Sequence, residues 1–263
     1  MTPVDTERQH SVTIMEFPPA ALPLDVRRHF PMPVFRAVLF DFFGTLTCSV
    51  QRGTAHRSTA ELLGCPVDAL VDVLDRSYYQ RASGRFGDAE ATLRWVCAQA
   101  GVHPPKSALR AAVASRHRAI RADTRLRDEA VPVLAALRQR GLRTGLVSDC
   151  THELPAFLPE LAVAPLLDVR VFSVQLGRCK PDPALYLSAC RPLGLSPGDC
   201  LYVGDGGSQE LTGARRAGMT AVRLAAPDLV EHMVFNAEPA WDGPELGSLS
   251  DVLDLVEPVA EPV

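Results

Sequence analysis

Short apolar runs alternate along this chain with longer segments whose apolar residues recur at helical spacing. The runs "AVLFDF" (37–42), "RTGLVS" (143–148), "VRVFSV" (169–174), "CLYVGD" (200–205) and "TAVRL" (220–224) have the continuous apolar character of strands buried on both faces. Between them, "DEAVPVLAALRQRG" (128–141) opens with acids and closes on Arg140 and Gly141, matching the helix dipole and a left-handed C-terminal cap. The segments "DPALYLSACRPLG" (182–194) and "SQELTGARRAG" (208–218) also end in basic residues followed by glycine. Strands separated by helices predict an α/β fold: a doubly wound, Rossmann-like parallel sheet covered on both faces.

Residues 50–123 break that rhythm. They offer the helical stretches "HRSTAELLG", "VDALVDVLDRSYYQRA", "DAEATLRWVCAQAG" and "KSALRAAVASRHRAI", and no strand. The pattern predicts an α-helical cap inserted after the first strand, above the sheet edge where that strand ends, in the position of a mobile lid. The core is then 34–49 plus 124–240. Residues 1–33, Pro-rich and non-periodic ("EFPPAALPLDVRRHFPMP"), are expected as a surface extension, and 241–263, ending "EPVAEPV", as a loose tail.

Composition narrows the partners. A net charge of -4 without a long basic run gives no footprint for nucleic acid, so a small molecule is expected instead. Seven cysteines, odd in number and never in CxxC, suggest neither a disulfide framework nor a zinc site, and read as thiols of a reducing compartment. No segment has the apolar length of a membrane span and the N-terminus lacks a signal-peptide pattern, so a cytoplasmic protein is expected. Oligomeric state leaves no mark on the sequence.

Ligands of open parallel sheets bind beyond the C-terminal ends of the strands. Asp41 closes the first run, Ser148 and Asp149 the second, and Asp205 another, while Lys180 in "GRCKPDP" precedes the helix after the third. A carboxylate such as Asp41 can attack an electrophilic centre once the charge of an anionic substrate is neutralised. Lys180 supplies a positive charge. Ser148 and the backbone amides around 42–45 supply hydrogen bonds. Asp205, with Glu210 one helical turn on, would hold a divalent cation together with Asp41, and oxygen-only ligands point to Mg²⁺. Taken singly, each landmark is also an ordinary cap or turn residue; "GDGGS" lacks the spacing of a nucleotide-binding glycine loop. His152 reads as an exposed first-turn residue and Trp95 as core of the helical insertion.

In order, "DFFGTLT", "GLVSD", "KPDPALY" and "YVGDGGSQELTGARRAGM" resemble the four motifs of the haloacid dehalogenase-like hydrolase superfamily, over residues 37 to about 224. The resemblance implies that Asp41 is the nucleophile, Ser148 the phosphate-binding hydroxyl, Lys180 the charge-neutralising lysine and Asp205 the metal-binding acid. Glu210 stands where an aspartate is frequent, and the Phe43 carbonyl where a main-chain oxygen binds the metal. Phosphatases of the superfamily usually carry a second aspartate at the place of Phe43. Loss of a positioned acid or base costs roughly 10² to 10⁴ in rate.

Four readings follow. The first is a Mg²⁺-dependent phosphohydrolase of a small phosphorylated metabolite, its missing acid supplied by the cap (Tyr78, Tyr79, His56 or acids near Asp88), by water, or made unnecessary by a good leaving group. The second is a 2-haloacid dehalogenase, against which the retained Asp205 and Glu210 speak. The third is a phosphonate-cleaving enzyme, for which Lys106 is the sole lysine of the insertion. The fourth is a catalytically weak or inactive relative that binds a phosphorylated ligand or a protein partner.

Overall fold

The computed structural model describes residues 34–259; the expected extension at 1–33 and the last four residues of the expected tail lie outside them. The first strand, β1 (Ala37–Phe40), is wholly buried and lies at the centre of a six-stranded sheet of order β3-β2-β1-β4-β5-β6. Its neighbours are β2 (Arg143–Ser148) and β4 (Cys200–Gly204); β3 (Val169–Phe172), β5 (Thr220–Leu224) and β6 (Glu245–Leu246) complete the sheet. Every pairing is parallel. Alternate residues of β1 enter two different cores: Val38 and Phe40 on one face, Ala37 and Leu39 on the other. Burial of each such large side chain stabilises by roughly 1.5–3 kcal/mol, so a register slip at the central strand is strongly opposed.

Five of the six α-helices that separate β1 from β2 lie within residues 50–123: α1 (His56–Leu63), α2 (Val67–Arg76), α3 (Tyr78–Ala82), α4 (Ala89–Gln99) and α5 (Lys106–Asp123). Of these, α1, α2, α4 and α5 share an apolar core of their own, built on Leu63, Leu70, Val73, Val96 and Leu109. Trp95 stacks on Phe86 at its margin. On the sheet follow α6 (Ala130–Gln139), α7 (Glu153–Phe157), α8 (Ser173–Leu176), α9 (Pro183–Leu193) and α10 (Glu210–Arg216). Residues of α6 and α7 pack on one face and those of α9 and α10 on the other, which is the doubly wound arrangement.

Two features differ from the sequence reading. The run "VRVFSV" leaves the sheet at Phe172, and Ser173 opens α8. The core also continues past 240: β6 pairs with β5, and the helical turn Leu249–Asp254 buries Leu249 and Val252 against the same core as α6. A two-residue strand carries no periodicity, and "DGPELGSLSD" has the composition of a loop. All seven thiols are free.

The helical insertion rests on the core through polar contacts at the strand ends. The Tyr78 hydroxyl donates to the Asp149 carbonyl at 2.9 Å, the Ser173 hydroxyl to the Ala82 carbonyl at 2.8 Å, and Arg116 pairs with Glu153 at 2.6 Å. Burial works to raise the Glu153 pKa, but the Arg116 guanidinium and the Thr151 hydroxyl outweigh it and bring the group down to about 2. Relative to an ordinary glutamate, that shift is worth about 3 kcal/mol of folding stability, on the order of 1.4 kcal/mol per unit. Because the folded-state value is depressed, the contribution is present above about pH 4.5 and is lost as pH falls towards 2. Urea unfolding of Arg116→Gln is therefore expected to show a clear deficit at pH 7 that narrows under acid; a deficit of constant size across this range would mean that the pair does not act through charge.

Candidate active site

Register brings the polar landmarks together. Phe40 stands opposite Leu146 on one side and Val203 on the other, and the Asp41 amide still donates to the Val203 carbonyl at 2.9 Å. Asp41 thus leaves the sheet close to the C-terminal ends of its two neighbours. The following turn, Phe42–Leu46, is tight: Gly44 has φ +80°, its amide donates to the Thr47 hydroxyl at 3.0 Å, and Thr47 N–H returns to the Phe42 carbonyl at 3.0 Å. A Cβ on Gly44 would lie 2.6 Å from His232 Nε2 and 3.0 Å from an Asp205 oxygen, so only glycine fits. Arg127 holds the turn from below by donating to the Gly44 and Thr45 carbonyls, each at 3.0 Å.

Above the turn, the Lys180 ammonium bridges Asp41 and Glu210, at 2.6 Å from the latter. Glu210 also accepts from the Tyr202 hydroxyl at 2.8 Å and the Gly206 amide at 3.0 Å. Burial works against the charge on Lys180, yet Asp41 and Glu210 together keep its pKa well above the lysine value. Burial raises Asp41 and Glu210; Lys180 opposes it in both. Asp205 moves the other way, since His232 and the Gly207 amide outweigh its burial.

Asp41, Asp205 and Glu210 each offer an oxygen within 4.8 Å of the others, and together could hold a metal ion. The donor set fits a hard cation: all three atoms are carboxylate oxygens. Three carboxylates against the single ammonium of Lys180 also leave a charge deficit that a divalent ion matches.

Asp41, Phe43, Asp149, Lys180, Asp205 and Glu210 all border one crevice of about 50 Å³. Ser148 does not. It is fully buried at the end of β2, its hydroxyl 3.4 Å from the Asp149 carbonyl, and Asp149 is the residue of that pair that faces the crevice. Of the expected cap donors, Tyr78 lines the crevice, whereas the Tyr79 hydroxyl is 3.1 Å from both Ser208 Oγ and the Phe235 carbonyl. His56 pairs with Asp123 at 2.9 Å in a neighbouring cavity of about 130 Å³ between insertion and core. Asp88 caps α4, Lys106 is exposed at the start of α5, and His152 binds the Gly87 carbonyl at 2.9 Å. The Phe43 ring, edge-on to Phe42, borders crevice and cavity alike.

Among the crevice residues that the sequence reading did not single out, His232 is the ionisable one. His232 is buried on the segment after β5, with Nε2 3.3 Å from Asp205 Oδ2. The Val50 amide donates to its Nδ1 at 2.9 Å, so the proton of the neutral ring sits on Nε2 and faces Asp205. The clue available in the sequence was its position, "APDLVEHMVF" immediately beyond a strand whose C-terminal end lies on the same sheet edge. That segment is tied to the loop of Ser208 and Gln209, both left-handed (φ 57° and 55°), by their amides donating to Phe235 and Asn236 at 2.8 and 3.1 Å.

A family model for haloacid dehalogenase-like hydrolases matches residues 35–218, which hold all of these motifs. The chain belongs to that family. Over 234 residues (87% of this chain and all of the relative), this hydrolase is 27% identical to a glyceraldehyde 3-phosphate phosphatase of Methanopyrus kandleri. It is 31% identical over 202 residues (72% of this chain, 82% of the relative) to a phosphoglycolate phosphatase of Nitrosospira multiformis. Its fold is similar to that of a 2-haloacid dehalogenase from Pseudomonas syringae pv. Tomato (TM-score 0.62, 21% identity, 84% of this chain and 98% of that one). A HAD phosphatase from Thermococcus onnurineus is similar to the same degree (TM-score 0.59, 21% identity, 86% of this chain and all of that one).

Proposed function

We propose that this hydrolase is a Mg²⁺-dependent phosphatase of a small phosphorylated metabolite, acting through a covalent phosphoryl-Asp41 intermediate. The observation that carries this reading is the meeting of three buried carboxylates with one buried ammonium at the open edge of the sheet. Displacement of a halide from a haloacid needs no cation, and would leave Asp205 and Glu210 without a task. The phosphatases among its relatives support the same choice.

Asp41 attacks phosphorus while Lys180 offsets the negative charge of the phosphoryl oxygens, and the amides of the turn after Asp41 bind those oxygens. The cation would be held by Asp41, the Phe43 carbonyl and Asp205, with Glu210 binding directly or through water. It supplies charge neutralisation of the phosphoryl group. Water then releases phosphate from Asp41. The helical insertion, seated over the strand ends, serves as the lid that keeps bulk water out and selects the substrate.

The test is a panel of phosphomonoesters, acyl phosphates and 2-haloacids, each assayed with Mg²⁺ and with chelator. Phosphate release that requires Mg²⁺ is the expected result. Metal-independent halide release would replace the phosphatase reading with the dehalogenase one, and tight binding of phosphorylated ligands without turnover would make the protein a binding relative.

A further inference from the structure

We propose that Asp149 is the proton donor and acceptor of the reaction, in the place of the acid that Phe43 cannot be; this rests on the phosphatase reading above. Expulsion of an alkoxide or phenoxide from phosphorus is slow unless a proton reaches the leaving oxygen, and a positioned acid typically gives roughly 10² to 10⁴ in rate. Among the side chains that border the crevice, most protons are already engaged. The Lys180 ammonium is committed to Asp41 and Glu210, the Tyr78 hydroxyl to the Asp149 carbonyl, and His232 Nε2 to Asp205.

Asp149 differs. Its Oδ1 accepts the Lys180 amide at 3.0 Å, which fixes the carboxyl in place. Its Oδ2 is buried and, among the described residues, has no hydrogen-bond partner, although the side chain borders the crevice. A bare buried carboxylate oxygen is costly, and the cost disappears when the group is protonated and donates to a bound ligand.

The surroundings favour that proton. Burial pushes the Asp149 pKa up to about 6, and the Asp41 charge adds to the rise. Lys180 works against it through charge and its amide, as does Ser208, which favours the charged form without completing a hydrogen bond. Tyr78, Tyr79, Cys150, Cys179 and Tyr186 also feel its charge, and each is itself held in the protonated form by burial first, with the Asp149 charge adding to the rise. An arriving phosphate brings further negative charge and strengthens proton uptake.

In the first step the Asp41 oxygen bonds to phosphorus, the bond from phosphorus to the leaving oxygen breaks, and the Asp149 proton passes to that oxygen to give the alcohol. In the second, the Asp149 carboxylate takes a proton from water, whose oxygen bonds to phosphorus as the Asp41–phosphorus bond breaks. Asp41 and protonated Asp149 are restored, and the sum is ester plus water giving alcohol plus phosphate.

The experiment compares phenyl phosphate with p-nitrophenyl phosphate, similar in shape but unequal in their need for a proton. Asp149→Asn is expected to lower kcat for phenyl phosphate by about 10²-fold or more and for the nitro ester by less than about tenfold, with KM little changed. Equal losses on both, or a loss confined to KM, would overturn the proposal and leave the phosphatase reading intact. Should the variant not fold, the wild type decides: its preference for the nitro ester is expected to steepen as pH rises past about 6, where Asp149 gives up its proton. A preference that stays constant overturns the proposal. Wild-type release from the nitro ester alone also overturns it, because no donor is then acting, and release from neither overturns the phosphatase reading together with it.

Discussion

Asp41→Asn is expected to abolish turnover, lowering kcat by about 10⁴-fold or more, while the protein remains folded and at least as stable as the wild type. The magnitude follows from the proposed role: removal of a nucleophile leaves only binding and electrostatic assistance, and losses on the order of 10⁴ to 10⁶ are usual for such groups. The absence of a stability cost follows from the surroundings. Asp41 sits in a cluster where burial and the charge of Asp205 already raise its pKa, and asparagine keeps the shape while removing one of three crowded charges. Lys180 keeps Glu210 as its partner. Phosphate release measured beside a urea midpoint separates the two effects. Activity within tenfold of wild type would exclude Asp41 as the attacking group.

Lys180→Met has the opposite balance, with both activity and stability lost. The ammonium is buried and serves two buried carboxylates at once, so its removal leaves Asp41 and Glu210 without their shared counter-charge. Breaking a buried pair from one side typically costs about 3–5 kcal/mol. The sign with pH is also set. In the wild type the raised Lys180 pKa keeps the ammonium charged throughout the neutral range, and its contribution fades only as pH rises through that elevated value. In the variant, the two carboxyls have raised folded-state values, so folding takes up protons and the deficit is smallest in acid. The difference in unfolding free energy between variant and wild type should therefore grow as pH rises above about 4.5, the ordinary glutamate value. A deficit independent of pH would mean that the lysine contributes packing alone.

Much of this architecture was legible in the sequence because the chemistry sits at strand ends. A buried parallel strand is a continuous apolar run, and the first polar residue after it marks the open edge; Asp41 and Asp205 are read in this way, and Ser148 and Asp149 as a pair. Lys180 was legible from its setting in "KPDP" before α9. Facing was harder. Ser148 and Asp149 are adjacent, and which of the two looks into the crevice depends on the twist at the end of β2, which residue order does not reveal. His232 was hidden for a different reason: its partners, Val50 and Asp205, are 182 and 27 residues away, and no local period marks such a meeting. β6, two residues long, was below the length at which any alternation can register.

Val50 lies at the threshold of the insertion and is stitched to the stretch after β5 twice, through the His232 ring and through the Met233 amide donating to its carbonyl at 3.2 Å. The start of the insertion and the acid that would seat the ion therefore share one anchor, the His232 ring. A displacement of the chain at Val50 would be felt by the imidazole that pairs with Asp205.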